Sequence, residues 1–522
     1  MSETEKLQKA VELTIAAGYQ LDKDAFEFLK SITSTEDPTK VISKVLKKVN
    51  SLKEKPLFIK KSFLENLLKE ESPTKENLSP ASLLQTEKHL EVLQEPRLTE
   101  AKKPYRSFAE EIESDIKILE DPTEKISSSG TLEDYLEYFK DRFRRMEKLL
   151  RQRIDVRGAS SIVDTFKAPA NTKLKIICMI TEKKELQQKI LLTVEDLKAS
   201  TTVLVPQNAK KEVLEKARSL LLDQVVCLDV AKTRSNLLIV EDIILPDVAS
   251  KSPGKAPLPV YAVLTSDMHV GSAKFQREAF NHFVLWLNGK YGDERLRNIA
   301  SHVKYVIIAG DIVDGIGVYP NQLKELTIKN IYGQYEKAAQ LIEQIPDYIE
   351  VVIIPGNHDA PRKALPQPAI SSEFLETLQK SRKVHSLGNP CRLNLHNVEL
   401  LLYHGRSLDD ITSTVPGVDI NHPEKAMTLL LQSRHLAPIY GGKTPLAPEN
   451  RDFLVIEHAP DIFHAGHVHI LGYTSYRGVL VVNSGGWQEQ TDYMRRMGVV
   501  PTPGKVPVVN LQTLEVNVVS FT

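Results

Sequence analysis

The chain has 522 residues, with 68 Lys+Arg against 68 Asp+Glu and a formal net charge of zero. That length allows several domains with real cores, and the charge balance excludes a large basic field that would hold nucleic acid unaided. Cys178, Cys227 and Cys391 are widely spaced with no CxxC pair, which excludes a zinc ribbon or disulfide framework and fits buried thiols in a reducing cytoplasm. The N-terminal MSETEKLQK lacks the apolar stretch of a secretory signal, and no apolar run reaches membrane length, so the expectation is a soluble, cytoplasmic chain with no membrane partner.

Residues 1–50 read as a small helical domain. Val11, Leu13, Ala16 and Leu21 give one apolar face, Phe26, Phe28, Leu29 and Ile32 extend it, and Val41, Ile42, Val45 and Val49 recur at helical spacing. So small a unit is a candidate for docking on a partner. From 51 to 128 Lys, Glu, Ser, Thr and Pro dominate, as in KEESPTKENLSPAS, and the expectation is a mostly disordered tether. Residues 129–252 read as a helix followed by a barrel. Tyr135, Tyr138, Phe139, Phe143, Met146, Leu149 and Leu150 share a broad face over Leu132–Arg153. Short strands follow at Lys173–Ile180, Lys189–Val194, Thr201–Val205, Gln224–Val230 and Asn236–Val240, with a helix near Lys211–Leu222 before the fourth. That order suggests an OB-type barrel. The stacking aromatics of a nucleic-acid groove are almost missing between Ala168 and Ile243, so a docking barrel is favoured over a DNA-reading one. PGKAPLP, Pro253–Pro259, is a linker. From 256 to 522 apolar strands alternate with helical stretches, which indicates a layered α/β domain.

Thirteen of the fourteen histidines lie in that last region, which places the chemistry there. Five polar clusters each follow an apolar, strand-like run. VYAVLTSDMHV ends in Asp267 and His269, which on extended backbone would face the same way. VKYVIIAGDIVDG ends in Gly310 and Asp311, with Asp314 placed to orient a histidine by accepting its ring N–H. EVVIIPGNHDAPR ends in Asn357, His358 and Asp359, where the Asn oxygen can ligate a metal and His358 can stay free as a proton donor. VELLLYHGRS ends in His404. DIFHAGHVHI supplies His467 and His469, with His464 on the other parity and read as structural. Singly, a turn Asp or a satisfied structural His explains most of these. All five in order, each at a strand end, argue for a ligand site. Asp267 and Asp311 carry −2, so two divalent ions would leave about +2 to attract and polarise a phosphodiester. Mixed N/O ligation suits Mn²⁺, Fe²⁺ or Zn²⁺ better than Mg²⁺.

The order D-x-H, G-D, G-N-H-D, H-G, G-H-x-H resembles the calcineurin-like metallophosphoesterase superfamily. The resemblance implies a β-sandwich flanked by helices. It implies Asp267, His269, Asp311 and His469 as ligands of one ion, Asp311, Asn357, His404 and His467 as ligands of the other, and His358 as the unligated catalytic histidine; the residues themselves suggest Asp314 as the support of His358. The superfamily's protein phosphatases carry Arg where this chain has Gly315, which speaks for a phosphodiesterase instead. YPNQLKELTIKNIYGQYEKAAQLIEQIP, PGNHDAPRKALPQP, RHLAPIYGGKTPLAPE and NSGGWQEQT further resemble the small subunits of archaeal family D DNA polymerases. That implies a Mn²⁺-dependent 3′→5′ proofreading exonuclease that acts on the primer 3′ end and has a large polymerising subunit as partner. Contacts with the sliding clamp and primase would come through the assembled polymerase. Arg362, His435 and Lys443 are candidate DNA contacts in these segments, with solvated surface charge the competing account of each. Trp487 is a base-stacking candidate or a core residue. A catalytically silent scaffold subunit and a stand-alone repair nuclease are the competing functions.

Overall fold

The structure is a computed structural model. It describes residues 105–522 throughout, and before them positions 7, 9–11, 13–14, 20–21, 23–32, 37–50, 58–59, 61 and 64. The chain forms two compact units, Met1–Ala101 and Lys102–Thr522. In the first, helices α1 (Lys23–Ile32) and α2 (Pro38–Asn50) bury Ala25, Leu29, Val41, Ile42 and Val45, joined by Ile59 and Leu64.

The expected tether divides. Residues 65–104 lie outside the described residues. Residues 105–128 contradict the reading, because they belong to the second unit and contain a strand, β1 (Ile116–Glu120). β1 pairs antiparallel with a later strand, with Leu393 opposite Ile118 and Leu395 opposite Ile116. Its side chains are mostly exposed, so the segment lacks the apolar run by which a strand is recognised, and backbone pairing at a sheet edge holds it instead.

Helix α3 (Leu132–Arg151) follows, opened by a capping box in which Thr131 Oγ1 accepts from the Asp134 amide and the Asp134 carboxylate accepts from the Thr131 amide. After the short α4 (Ile162–Lys167) come β2 (Lys173–Leu186), β3 (Lys189–Glu195), β4 (Ser200–Val205), α5 (Lys211–Ser219), β5 (Val225–Lys232) and β6 (Leu238–Ile244). The five strands close into a barrel in the order β2-β3-β4-β6-β5. Its only parallel pair is β4 with β6, the crossover that α5 spans. Leu192, Val194, Val203, Val226, Leu228 and Val240 fill the interior.

The remainder is a sandwich of two six-stranded sheets. The first runs β10 (Val384–Ser386), β9 (Glu350–Ile354), β8 (Val303–Ala309), β7 (Tyr261–Thr265), β16 (Lys505–Asn510) and β17 (Val516–Ser520). The second runs β14 (Gly472–Tyr476), β15 (Val479–Asn483), β13 (Ile462–Ala465), β12 (Val398–Leu402), β11 (Cys391–Leu395) and β1. β7, β8, β9 and β10 are mutually parallel, as are β12, β13 and β15. Strands buried on both faces explain the nearly unbroken apolar runs. Alternate residues serve different layers. Ala262, Leu264, Tyr305, Ile307 and Ala309 meet Leu393, Leu400, Leu402 and Ile462 between the sheets. Val263, Val306 and Ile308 instead face helices α6 (Arg277–Leu287), α7 (Glu294–Ser301), α8 (Ile331–Ile342) and α9 (Ser372–Ser381). Helices α10 (Leu408–Thr414) and α11 (Pro423–Ser433) cover the second sheet, and a short α12 (Asp492–Arg496) precedes β16. Among the described residues no helix is long and apolar enough to cross a membrane.

α3 joins barrel to sandwich. Phe143, Met146 and Leu150 pack with Ile177, Met179 and Val225 of the barrel and Val455 of the sandwich. Between them lies Arg142, only 1 % exposed, whose Nε donates to Asp452 Oδ2 at 2.7 Å and whose Nη1 donates to Pro438 O at 2.7 Å. His435 Nε2 sits 2.8 Å from the same Asp452 oxygen, and its Nδ1 accepts from the Ala437 amide at 3.1 Å. That pattern defines a neutral ring with its proton on Nε2. Burial would raise the Asp452 carboxyl, but His435 and Arg142 hold it well below the usual carboxylate range. Burial, then Arg142, pushes the His435 ring down from 6.5 to about 4.

Two outcomes follow from this network. Arg142→Ala leaves the Asp452 charge buried and unpaired, so the unfolding free energy falls by about 3–5 kcal/mol in a denaturant titration. His435 has a folded-state pKa of about 4 against an ordinary 6.5. Its contribution is full above the higher value and is lost as pH falls toward the lower, because the unfolded chain binds the proton first. His435→Gln therefore flattens the acid side of the stability curve in that window, measured as thermal midpoint against pH.

Candidate metal centre

The five clusters do lie at the carboxyl ends of parallel strands: β7, β8 and β9 of one sheet, β12 and β13 of the other. The local geometry differs from the extended segments expected. Asp267, His269, Asp311, His467 and His469 have φ of 51°, 50°, 51°, 73° and 58°, the left-handed region. Asp and His are among the residue types that tolerate it best after Gly, and each such residue still costs on the order of 1–2 kcal/mol. Hydrogen bonds across the loops oppose that cost: Asp267 N to Gly310 O at 2.9 Å, His269 N to Asp311 O at 3.0 Å, and Gly466 N to His404 O at 2.8 Å. Close approach also needs glycine. A Cβ on Gly310 would stand 2.8 Å from Gly356 Cα, and one on Gly356 would overlap Asp311 Oδ1.

Each of the two central carboxylates has one oxygen tied and one free. Asp267 Oδ2 accepts from the His467 amide at 2.9 Å and from the Ser266 hydroxyl. Its Oδ1 is buried with no hydrogen-bond partner. Asp311 Oδ1 accepts from the His358 amide at 2.8 Å. Its Oδ2 faces His404 Nε2 at 3.3 Å, His269 Nε2 at 3.7 Å and His358 Nε2 at 4.0 Å.

Two groups of donors share Asp311. In the first, His269 Nε2 is 3.1 Å from His469 Nε2, and the free Asp267 Oδ1 is 3.9 Å from one and 3.5 Å from the other. Two ring nitrogens that close share either one proton or one cation. In the second, His404 Nδ1 donates to Ala309 O at 2.8 Å, which turns the Nε2 lone pair toward Asn357 Oδ1 at 3.1 Å and Asp311 Oδ2 at 3.3 Å. His467 completes it, its ligand atom within 4.8 Å of those of Asp311 and His404. Donors bound at about 2.1 Å to one cation stand roughly 3.0–3.4 Å apart, a range that the His269–His469, His404–Asn357 and His404–Asp311 spacings match. Electrostatics agrees. Burial alone would depress His269 and His404, yet Asp314 and Asp311 at the first and Asp311 at the second raise both to about 9. The carboxylates create a deficit of positive charge that a cation would fill.

Asp314 differs from expectation in detail. Its carboxylate orients His269, accepting from Nδ1 at 3.0 Å, and also accepts from Gln322 at 2.8 Å and Gln488 at 3.1 Å. It does not hold His358 with that group. The His358 Nδ1 donates instead to the Asp314 backbone oxygen at 2.7 Å. Asp359 fastens the loops, accepting from the Gly356 amide at 2.8 Å and from the Tyr335 hydroxyl at 3.0 Å.

Two of the three candidate DNA contacts are engaged by partners within the fold. Arg362 donates to Glu449 Oε1 and to Pro366 O, both at 2.7 Å, and His435 is 2 % exposed in the Arg142 network. His435 is an internal fastener, and Arg362, with its side chain 33 % exposed, is tied to a buried carboxylate; charge alone revealed neither partner. Lys443 is exposed and lines a cavity of about 520 Å³ over the cluster, together with Lys363 and Arg406. The last two were missed, although they lie beside Arg362 and two residues after His404. Asp409 was also missed. It lies in the first turn of α10 and its Oδ2 stands 3.1 Å from His467 Nε2, a position a first-turn helix acid does not announce. Trp487 is a core residue, its Nε1 donating to Thr265 at 2.8 Å and its ring against Phe280. His464 is buried, with Nε2 3.0 Å from the Ser484 hydroxyl.

Asp314 fixes the ring whose Nε2 points at the cluster. Asp314→Ala should weaken divalent-ion binding about 10–100-fold, measured by calorimetric titration with Mn²⁺. Unchanged affinity would show that His269 needs no such support.

Residues 262–469 match the family model for the DNA polymerase alpha/epsilon B subunits. The DNA polymerase II small subunit of Archaeoglobus fulgidus is 38 % identical over 498 residues, covering 95 % of this chain and 94 % of that protein. Its counterpart in Methanocaldococcus jannaschii is 37 % identical over 411 residues, 77 % of this chain and 68 % of that one. The counterpart in Pyrococcus furiosus is 39 % identical over 387 residues, 74 % and 63 %. With a relative of that identity matched over nearly its whole length, the chain belongs to the DNA polymerase II small subunits, the small subunits of archaeal family D DNA polymerases.

Proposed function

We propose that this subunit is a metal-dependent 3′→5′ proofreading exonuclease that releases nucleoside 5′-monophosphates and assembles with the large polymerising subunit. The observation that carries the reading is the convergence of Asp267, His269, Asp311, Asn357, His404, His467 and His469 on one buried volume with Asp311 shared. A scaffold without chemistry gains nothing from five strained backbones and an unpartnered carboxylate oxygen, which disfavours the silent-subunit reading. The calcineurin-like description of the sandwich, and the OB-type description of the barrel from its strand order and its helix before the fourth strand, belong to the same proposal.

Two divalent ions, with Mn²⁺ the candidate, would be held by these donors and would supply Lewis-acid polarisation and a nucleophile at neutral pH. His358 does the proton work. Its Nδ1 proton rests on the Asp314 carbonyl, an acceptor that suits both ring charge states, so Nε2 alone takes or gives a proton toward the cleft. Burial lowers the free ring to about 4, and a bound phosphodiester's negative charge raises it again. Proton delivery at Nε2 assists departure of the 3′-oxygen. Lys363, Arg406 and Lys443 line the way in and would position the strand through its phosphates.

The test is a 3′-mismatched primer with Mn²⁺, using the full chain alone and with the large subunit. Wild type should release nucleoside monophosphates, and His358→Ala should slow release by about 10²–10⁴-fold. No release from either preparation overturns the proposal and leaves the scaffold. Release by the free chain that the large subunit never alters would favour a stand-alone nuclease.

A further inference from the structure

The cavity above the cluster has a second chemistry that neither ion binding nor phosphate attraction uses. Val418 and Ile420 from the loop after α10, and Tyr493, Met494, Met497 and Val499 from α12 and its exit, give it an apolar lining. Part of that lining is left in solvent, with Tyr493 63 % exposed and Met497 49 % exposed. Met494 and Val499 beneath them belong to the buried core on the second sheet, so the exposed pair stands on a fixed base. In the same cavity lie Lys363, Arg406 and Lys443 and the ligand cluster itself.

A cavity of about 520 Å³ with cations, donor groups and an apolar lining matches the parts of one nucleotide. The phosphate is drawn to the charges, and the base needs an apolar or aromatic surface. We propose that Tyr493 and Met497 form the seat of the 3′-terminal base, so that a nucleotide unpaired from its template is the unit that enters. A flat ring beside a polarisable thioether accepts any of the four bases, because every base has a π-face. An enzyme that must remove whichever nucleotide was misplaced needs that tolerance. The proposal rests on the phosphodiesterase reading and adds to it the residues that select an unpaired end.

The probe is a short single-stranded oligonucleotide with 2-aminopurine at its 3′ end, added to the full chain in chelator so that no hydrolysis occurs. Stacking on Tyr493 should quench the fluorescence in wild type and in Tyr493→Phe. Tyr493→Ala should lose that quench, and Met497→Ala should reduce it. In a second measurement with Mn²⁺, Tyr493→Ala should lower kcat/KM on a normal 3′ end by about 5–150-fold and leave a 3′-terminal abasic end unchanged. Equal losses on both ends, or full quenching by Tyr493→Ala, overturn the seat. So does a variant that keeps both readouts but no longer assembles with the large subunit, which would make this surface a protein contact. If wild type quenches the probe but hydrolyses no end, the seat stands and the exonuclease reading falls.

Discussion

Seven lone-pair donors pressed into one water-poor volume repel one another, and the rest of the sandwich exists to hold them there. The two sheets bring five parallel strand ends to one edge, and the turns beyond them bend through left-handed backbone so that side chains two apart converge. Asp267 and Asp311 show how the strain is contained. Each gives one oxygen to a backbone amide of another loop, His467 in one case and His358 in the other, and keeps the second oxygen for the centre. These side chains therefore also cross-brace the loops that carry them, which couples their positions.

A second buried charge system ties this sandwich to the barrel. Arg142 reaches out of α3 into a pocket made by Asp452, Pro438 and Tyr138. A buried pair of this kind is weak evidence for net stability but is geometrically demanding, since every donor needs its acceptor. Apolar packing through Met146, Leu150 and Val455 supplies the attraction, about 1.5–3 kcal/mol for each fully buried large side chain, and Arg142 fixes the orientation.

Much of this was legible in the sequence. Apolar runs marked the central strands, the order of barrel strands and helix was readable, and the polar clusters expected at strand ends do lie together there. What escaped has physical causes. Side-chain parity was read from extended geometry, but Asp267, His269, His467 and His469 turn through positive φ, and spacing carries no signature of that. Arg362 and His435 looked like surface cations because sequence does not disclose Glu449 and Asp452 waiting as buried acceptors. Asp314 was identified as an orienting group, but the histidine its carboxylate serves depended on which loop lay above it. β1 was missed because backbone pairing, not side-chain burial, holds it.

That strand has an architectural consequence. β1 precedes α3 and the barrel in the chain, yet it completes the edge of the second sheet beside β11. The barrel is thus an insertion, entered and left from the same sandwich, and not a bead threaded ahead of it. Both chain crossings are fastened. Ser127 and Ser128 donate their amides to buried Glu449 at 2.7 and 2.9 Å on the way out, and the Gly254 amide binds Asp461 at 2.9 Å on the return. A fragment begun at the linker would uncover the β11 edge and leave it open to pairing with another chain. The sandwich of this subunit cannot be cut free at the boundary its composition suggests.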